Sequence, residues 1–211
     1  MKNNRVDFRY YLITDRRAPS SSVTFLETIE EACSAGVQAV QLREKDLPGG
    51  LLYDLGNEVR EITNQYDTKL FVNGRPDVAK AIGADGVHCP EGGIPPSVIK
   101  SYWPDLTIGV SVHSEEVAER AEQEEADFLL FGPVYYTASK VKYGEPQGID
   151  RLKEIAEQSS LPVFAVGGIT PEKVTPCLQA GAFGVAGISA IMEADDVTEK
   201  VSEFEKKLGQ L

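Results

Sequence analysis

The chain has 211 residues with 21 Lys+Arg against 33 Asp+Glu, a net charge of −12, and 42% hydrophobic residues. That balance is ordinary for a globular domain and large enough to bury a core without disulfide or metal staples. The acidity argues against nucleic acid and anionic membrane surfaces as partners, and no window stays apolar over the roughly 18 residues that a spanning helix needs.

Eight short apolar runs recur along the chain: Tyr10–Thr14, Ala39–Arg43, Lys69–Asn73, Gly86–Cys89, Ile108–Val112, Phe128–Phe131, Val163–Val166 and Gly184–Ile188. Each is nearly continuous in apolarity, as parallel strands covered on both faces are. Stretches with helical spacing lie between them. Phe25, Leu26, Ile29, Ala32 and Cys33 repeat at i, i+3/i+4 within Thr24–Ala35, with Glu27, Glu30 and Glu31 opposite, and Leu51–Tyr66 and Ser114–Glu125 follow the same pattern. Ser114 before acidic residues reads as an N-cap, and Thr170-Pro171 as a cap followed by the first helical residue.

Alternating strands and helices define an α/β protein. Eight units in about 200 residues point to one closed (β/α)8 TIM barrel over residues 1–211, with its core at roughly 10–205. A doubly wound sheet is the alternative, because periodicity does not see closure. Cys33, Cys89 and Cys177 are far apart, odd in number and without a CxxC, which reads as reduced thiols in a cytoplasmic protein. The polar N-terminus, Met1 to Asp7, carries no apolar signal core.

Polar residues follow most of the runs. These are Gln41, Arg43 and Lys45 after the second, Asn73 and Arg75 after the third, His88 on the fourth, and Ser111 and His113 at the fifth. Thr137, Ser139 and Lys140 follow the sixth, Gly167-Gly168 the seventh, and Ile188-Ser189 the eighth. In a barrel these ends converge on the face where sites are built. Gly167-Gly168 and Ser189-Ala190 fit the phosphate grip after strands seven and eight, where backbone N–H groups approach an oxyanion closely. Arg43, Lys45 and Lys140 are candidate anion ligands; Gln41 and Arg43 share a face by strand alternation, and Lys45 continues that parity if the strand persists. His88 and His113 are the only histidines and the obvious groups to move a proton near neutral pH. The long segment Tyr135–Gly148 reads as an active-site loop.

In order along the chain stand Gln41-Leu42-Arg43-Glu44-Lys45, Asn73-Gly74-Arg75-Pro76-Asp77, Ala84-Asp85-Gly86-Val87-His88 and Gly109-Val110-Ser111-Val112-His113. Then come Phe131-Gly132-Pro133 through Lys140, Gly167-Gly168-Ile169-Thr170 and Ile188-Ser189-Ala190-Ile191. Together these motifs resemble the thiamin phosphate synthase family, which includes the TenI-like thiazole tautomerases, from about Tyr11 to Ile191. The resemblance implies small phosphorylated pyrimidine and thiazole ligands, and a reaction in which diphosphate leaves, a pyrimidine carbocation forms and the thiazole nitrogen captures it. Gln41, Arg43, Lys45, Asn73, Ser111 and Lys140 match pyrimidine-diphosphate positions; Thr137, Ser139, Gly168, Ile188 and Ser189 match thiazole-phosphate positions.

Two departures stand out. The family's Mg²⁺-binding Asp positions are Gly74 and Gly93 here, leaving Glu91, Asp77 or Glu44 as the substitutes for a Mg²⁺ site. The Asn-Gly-Arg and His-x-Pro-x-Gly forms are closer to the tautomerase branch, yet the tautomerase His after the sixth-strand Gly is Pro133. The resemblance therefore implies a synthase, with a tautomerase or a noncatalytic thiazole-phosphate-binding regulator as alternatives, and leaves a homo-oligomer open.

Overall fold

A computed structural model describes residues 6–18, 24–137 and 145–209. The elements run β1 (Tyr10–Ile13), α1 (Phe25–Ser34), β2 (Ala39–Leu42), α2 (Gly49–Gln65), β3 (Lys69–Asn73), α3 (Pro76–Ala81), β4 (Gly86–Cys89), α4 (Pro96–Tyr102) and β5 (Thr107–Val112). They continue as α5 (Glu115–Gln123), β6 (Phe128–Phe131), α6 (Gly148–Gln158), β7 (Val163–Val166), α7 (Pro171–Gln179), β8 (Gly184–Gly187), α8 (Ser189–Met192) and α9 (Val197–Leu208). The eight strands pair in sequence order, all parallel, and β8 closes on β1 through Tyr10 opposite Val185 and Leu12 opposite Gly187. The sheet is a closed (β/α)8 barrel, so the doubly wound alternative is excluded.

Strand alternation divides the core in two. Leu12, Val40, Leu70, Val72 and Val87 face outward and pack with helix residues such as Ile29, Val59 and Val78. Tyr11, Ile13, Ala39, Phe71, Phe128, Leu130, Phe164 and Ala186 face inward. The lower interior is aromatic. Phe8 stands below the first strand with its ring 5.6 Å from those of Tyr11, Phe71 and Phe128 and 5.2 Å from Phe164. Three inward glycines make room for these rings: a Cβ on Gly86 would lie 2.4 Å from Phe71, on Gly109 2.3 Å from Phe128, and on Gly184 2.7 Å from Phe164. Large and small residues thus interdigitate around the barrel, and this end is filled rather than open.

The strand entrances are tied by side chains. Asp85 accepts from the Leu70 amide at 2.9 Å and from Arg60 at 2.7 Å, and Asp127 accepts from the Ile108 amide at 2.8 Å and from Lys100 at 3.0 Å. A depression of about 360 Å³ at this end is lined by Arg60, Lys69, Asp7 and Asp85, and these four are joined in ion pairs.

Three helices, α1, α5 and α9, start on a side-chain cap. Thr24 and Glu27 form a capping box, and Ser114 Oγ accepts from the Val117 amide at 3.4 Å. Thr170 precedes Pro171 as expected, but its hydroxyl makes no capping bond to the backbone. Helix α2 begins at Gly49, two residues before the apolar pattern, and β5 begins at Thr107. The eighth strand stops at Gly187, one residue short of the run's end at Ile188, and Ser189 then opens α8, a four-residue helix, where the phosphate grip is expected. The three cysteines are free and buried.

Candidate active site

The C-terminal strand ends bring the polar residues together. Register places Asn73 opposite His88, and Ser111 opposite Leu130. On β2, Gln41 is buried, and its Nε2 has no hydrogen-bond partner among the described residues. A buried amide donor left unpaired costs about 1–3 kcal/mol, which marks it as a group that a ligand would satisfy.

Beside it, His88 is buried and its Nε2 lies 2.9 Å from the Ser111 hydroxyl. Burial first, and then the charges of Arg43 and Lys45, push the His88 pKa down to about 3. The ring is therefore neutral near pH 7, and the field of two cations from the β2 loop reaches it. With Nδ1 buried and unpartnered, the tautomer that leaves no buried N–H orphaned carries its proton on Nε2. That proton goes to Ser111 Oγ and leaves the Ser111 hydroxyl proton for an acceptor in the mouth.

Strand β2 ends at Leu42, so Arg43 and Lys45 belong to the loop beyond it and strand parity does not extend to Lys45. Arg43 is half-buried and Lys45 exposed. Arg43 is anchored through its backbone N–H, which donates to Thr14 Oγ1 at 3.0 Å. Arg75 follows β3. Its guanidinium makes a two-pronged bond to Asp77 at 2.9 and 2.6 Å and packs against Gly49 at the start of α2.

On the far side, Gly167 and Gly168 sit at φ +97° and +63°, in the left-handed region where only Gly is unstrained. A Cβ on Gly168 would lie 2.3 Å from the Tyr136 carbonyl, so this turn packs directly on the loop after β6. Lys173, which the motif reading missed, donates from Nζ to the Gly168 carbonyl at 2.7 Å and stands 4.5 Å over the Tyr135 ring. Its signal was its place in the first turn of a helix after a GG turn. Next door, the first amides of α8 have no intrahelical acceptor. Loops after strands seven and eight, together with the start of a short extra helix, are the usual phosphate seat of this barrel.

His113 is exposed, and its Nδ1 lies 2.5 Å from the Gly132 carbonyl, which sets the proton on Nδ1 and turns Nε2 toward Glu91 at 3.8 Å. Thr137 is the last described residue before the segment that holds Ser139 and Lys140, and these two lie outside the described residues.

Of the carboxylates offered as Mg²⁺ substitutes, Asp77 is held by Arg75, and Glu44 by Thr14 and Arg16. Glu91 faces His113 with no second carboxylate, and no group of three or more His, Cys, Asp or Glu gathers among the described residues. Mg²⁺ wants one or two freely presented carboxylates beside phosphate oxygens. Of the three, Glu91 alone is not tied up by an arginine, so it is the carboxylate that would meet a diphosphate-bound Mg²⁺.

Fold and rim together define a (β/α)8-barrel protein with a polar, cation-bearing mouth at the strand C-termini. The family model described as thiamine monophosphate synthase (TMP-TENI) matches residues 10–191. A putative thiamine-phosphate synthase 2 of Aquifex aeolicus is 47% identical over 185 residues, covering 88% of this chain and 98% of that protein. A putative thiamine-phosphate synthase of Geobacter sulfurreducens is 45% identical over 197 residues, covering 93% and 92%. The solved thiamine phosphate pyrophosphorylase from Pyrococcus furiosus superposes with a TM-score of 0.88 at 37% identity, covering 99% of this chain and 98% of that one. The chain belongs to the thiamine monophosphate synthase family.

Proposed function

We propose that this protein is a thiamin phosphate synthase, a transferase that joins a pyrimidine diphosphate to a thiazole phosphate and releases diphosphate. The observation that carries the reading is the two-sided mouth. At the end of β2 stand Arg43 and Lys45, whose charges reach His88, and at the ends of β7 and β8 stand Gly167, Gly168 and Ser189, whose main-chain amides suit a second phosphate. Two phosphorylated ligands need two such seats.

In the reaction, the C–O bond to diphosphate breaks with the electron pair leaving on oxygen, and the thiazole nitrogen then donates its pair to the pyrimidine methylene carbon. No proton transfer is required before the new C–N bond forms. The work is charge stabilisation on the leaving group and alignment of the two rings. Arg43, Lys45, Lys140 and the Ser111 hydroxyl are assigned to the diphosphate; Gln41 and Asn73 to the pyrimidine side; Thr137, Ser139, Gly168, Ile188 and Ser189 to the thiazole phosphate. A neutral His88 suits this division, because it orients Ser111 and exchanges no proton. One (β/α)8 domain, a cytoplasmic location and an open question of homo-oligomerisation belong to the same reading, the location resting on three buried free thiols.

The test is diphosphate release from the purified protein with both substrates. Release that requires both supports the synthase; none above background removes it. A second reading, a thiazole tautomerase, is favoured by one observation: the exposed His113 is held through Nδ1 at the Gly132 carbonyl and turns Nε2 toward Glu91. It predicts isomerisation of the thiazole carboxylate phosphate, followed by ultraviolet absorbance, that is lost in His113→Ala. No isomerisation by the parent protein removes that reading.

A further inference from the structure

Glu44 lies between the two cations of the β2 loop, yet it is buried and turned to the loop after β1. Its Oε1 accepts from the Thr14 hydroxyl at 2.7 Å. The Arg16 amide reaches both carboxylate oxygens, at 3.2 and 3.3 Å, and Arg16 Nη1 reaches Oε2 at 3.1 Å. The same Thr14 hydroxyl accepts the Arg43 backbone N–H at 3.0 Å, and the Thr14 amide donates to the Gln41 carbonyl at 2.9 Å. Arg16 then continues to Asp46, with two bonds of 2.6 Å. The β1 and β2 loops are thus joined at residues 41, 43, 44 and 46 by one connected set of bonds.

A buried carboxylate is tolerated only where several donors surround it. Among the described residues, the hydrogen-bond donors to Glu44 come from Thr14 and Arg16. The carboxylate is thereby turned toward the β1 loop, while the charges of Arg43 and Lys45 reach His88. Because Thr14 bonds both the Glu44 side chain and the Arg43 main chain, the position of the cationic loop depends on that hydroxyl.

We infer that Thr14, Arg16 and Glu44 form a clasp that sets the backbone of Arg43 and Lys45, and that these are positioning residues for the diphosphate end of the substrate. The inference rests on the synthase reading for the identity of the ligand. The sequence reading offered Glu44 only as a metal ligand and did not single out Thr14 or Arg16; the polar Thr14-Asp15-Arg16 at the end of the first run was the signal available.

The experiment compares the unaltered protein with Thr14→Val, Thr14→Ser and Arg16→Gln, using calorimetric titration with inorganic diphosphate and steady-state KM for each substrate. Thr14→Val removes two hydrogen bonds, and its diphosphate affinity should fall about tenfold. Its KM for the pyrimidine diphosphate should rise in parallel, with KM for the thiazole phosphate unchanged. Thr14→Ser keeps the hydroxyl and should restore binding. Arg16→Gln leaves the main-chain donor to Glu44 and serves if Thr14→Val does not fold; it should show the same split at about threefold. Equal diphosphate affinity in the folded variants, or equal KM changes for both substrates, overturns the clasp. Titration does not depend on turnover. A protein that binds diphosphate but releases none from substrates sinks the synthase reading and leaves the clasp standing, whereas no diphosphate binding by the unaltered protein overturns the clasp's stated role.

Discussion

His88 Nε2 and the Ser111 hydroxyl meet at 2.9 Å across adjacent strands β4 and β5, and this bond joins a buried neutral ring to a group at the barrel mouth. The burial that keeps His88 neutral has a consequence for stability. Its folded pKa, about 3, lies below the ordinary 6.5, so the unfolded chain binds the extra proton first as pH falls. The contribution is fully present above about pH 6.5, is lost progressively as pH falls toward 3, and amounts to a few kcal/mol over that range. In His88→Asn this part of the acid dependence should vanish, as a flatter plot of urea midpoint against pH between 6.5 and 4. An unchanged slope contradicts the assignment.

Arg43 directly follows Leu42, the last residue of β2, and is half-buried. Arg43→Ala should lower kcat/KM by about 10²–10³, the usual loss for one preorganised donor to a developing negative charge. Arg43→Lys should recover only part of this, since a point charge replaces a planar fork. Steady-state kinetics with a thermal melt of each variant checks both statements.

Gly168→Ala adds a Cβ 2.3 Å from the Tyr136 carbonyl at a residue with φ +63°. The strain should cost about 1–3 kcal/mol. The displaced turn should weaken binding of the thiazole phosphate more than that of the pyrimidine diphosphate. Gly50→Ala is the opposite case: nothing lies within 4 Å of the added Cβ in the first turn of α2, and the change should stabilise by about 0.4–1 kcal/mol. Chemical denaturation of the two variants should move in opposite directions.

Phe8 contacts four rings beneath the barrel. Phe8→Ala should destabilise by about 3–5 kcal/mol, the cost of a large core deletion, while leaving both KM values near those of the parent. A large change in KM without loss of stability would show that this end of the barrel communicates with the mouth in a way its packing does not suggest.

The strands were legible because each is a nearly continuous apolar run, as Phe128–Phe131 and Val163–Val166 show most plainly. Gln41 and Asn73 were legible as polar residues at the ends of apolar runs. Other features depend on adjacency that only closure creates. Thr14 and Glu44 are 30 residues apart and meet because β1 and β2 are neighbours. The short helix α8 at Ser189–Met192 was not legible, because four residues are too few to reveal a helical period. The start of α2 at Gly49-Gly50 was hidden by two poor helix formers. Likewise, Arg75 was grouped with the site by its motif, and only geometry shows its bond to Asp77.

The most direct test of the account is phosphorus-31 NMR of the purified protein mixed with the pyrimidine diphosphate and the thiazole phosphate. The account predicts that one free diphosphate appears for each thiamin phosphate, at equal rates, and that Arg43→Ala slows both together. Persistence of both substrates over many hours, or diphosphate appearing without the joined product, would contradict it.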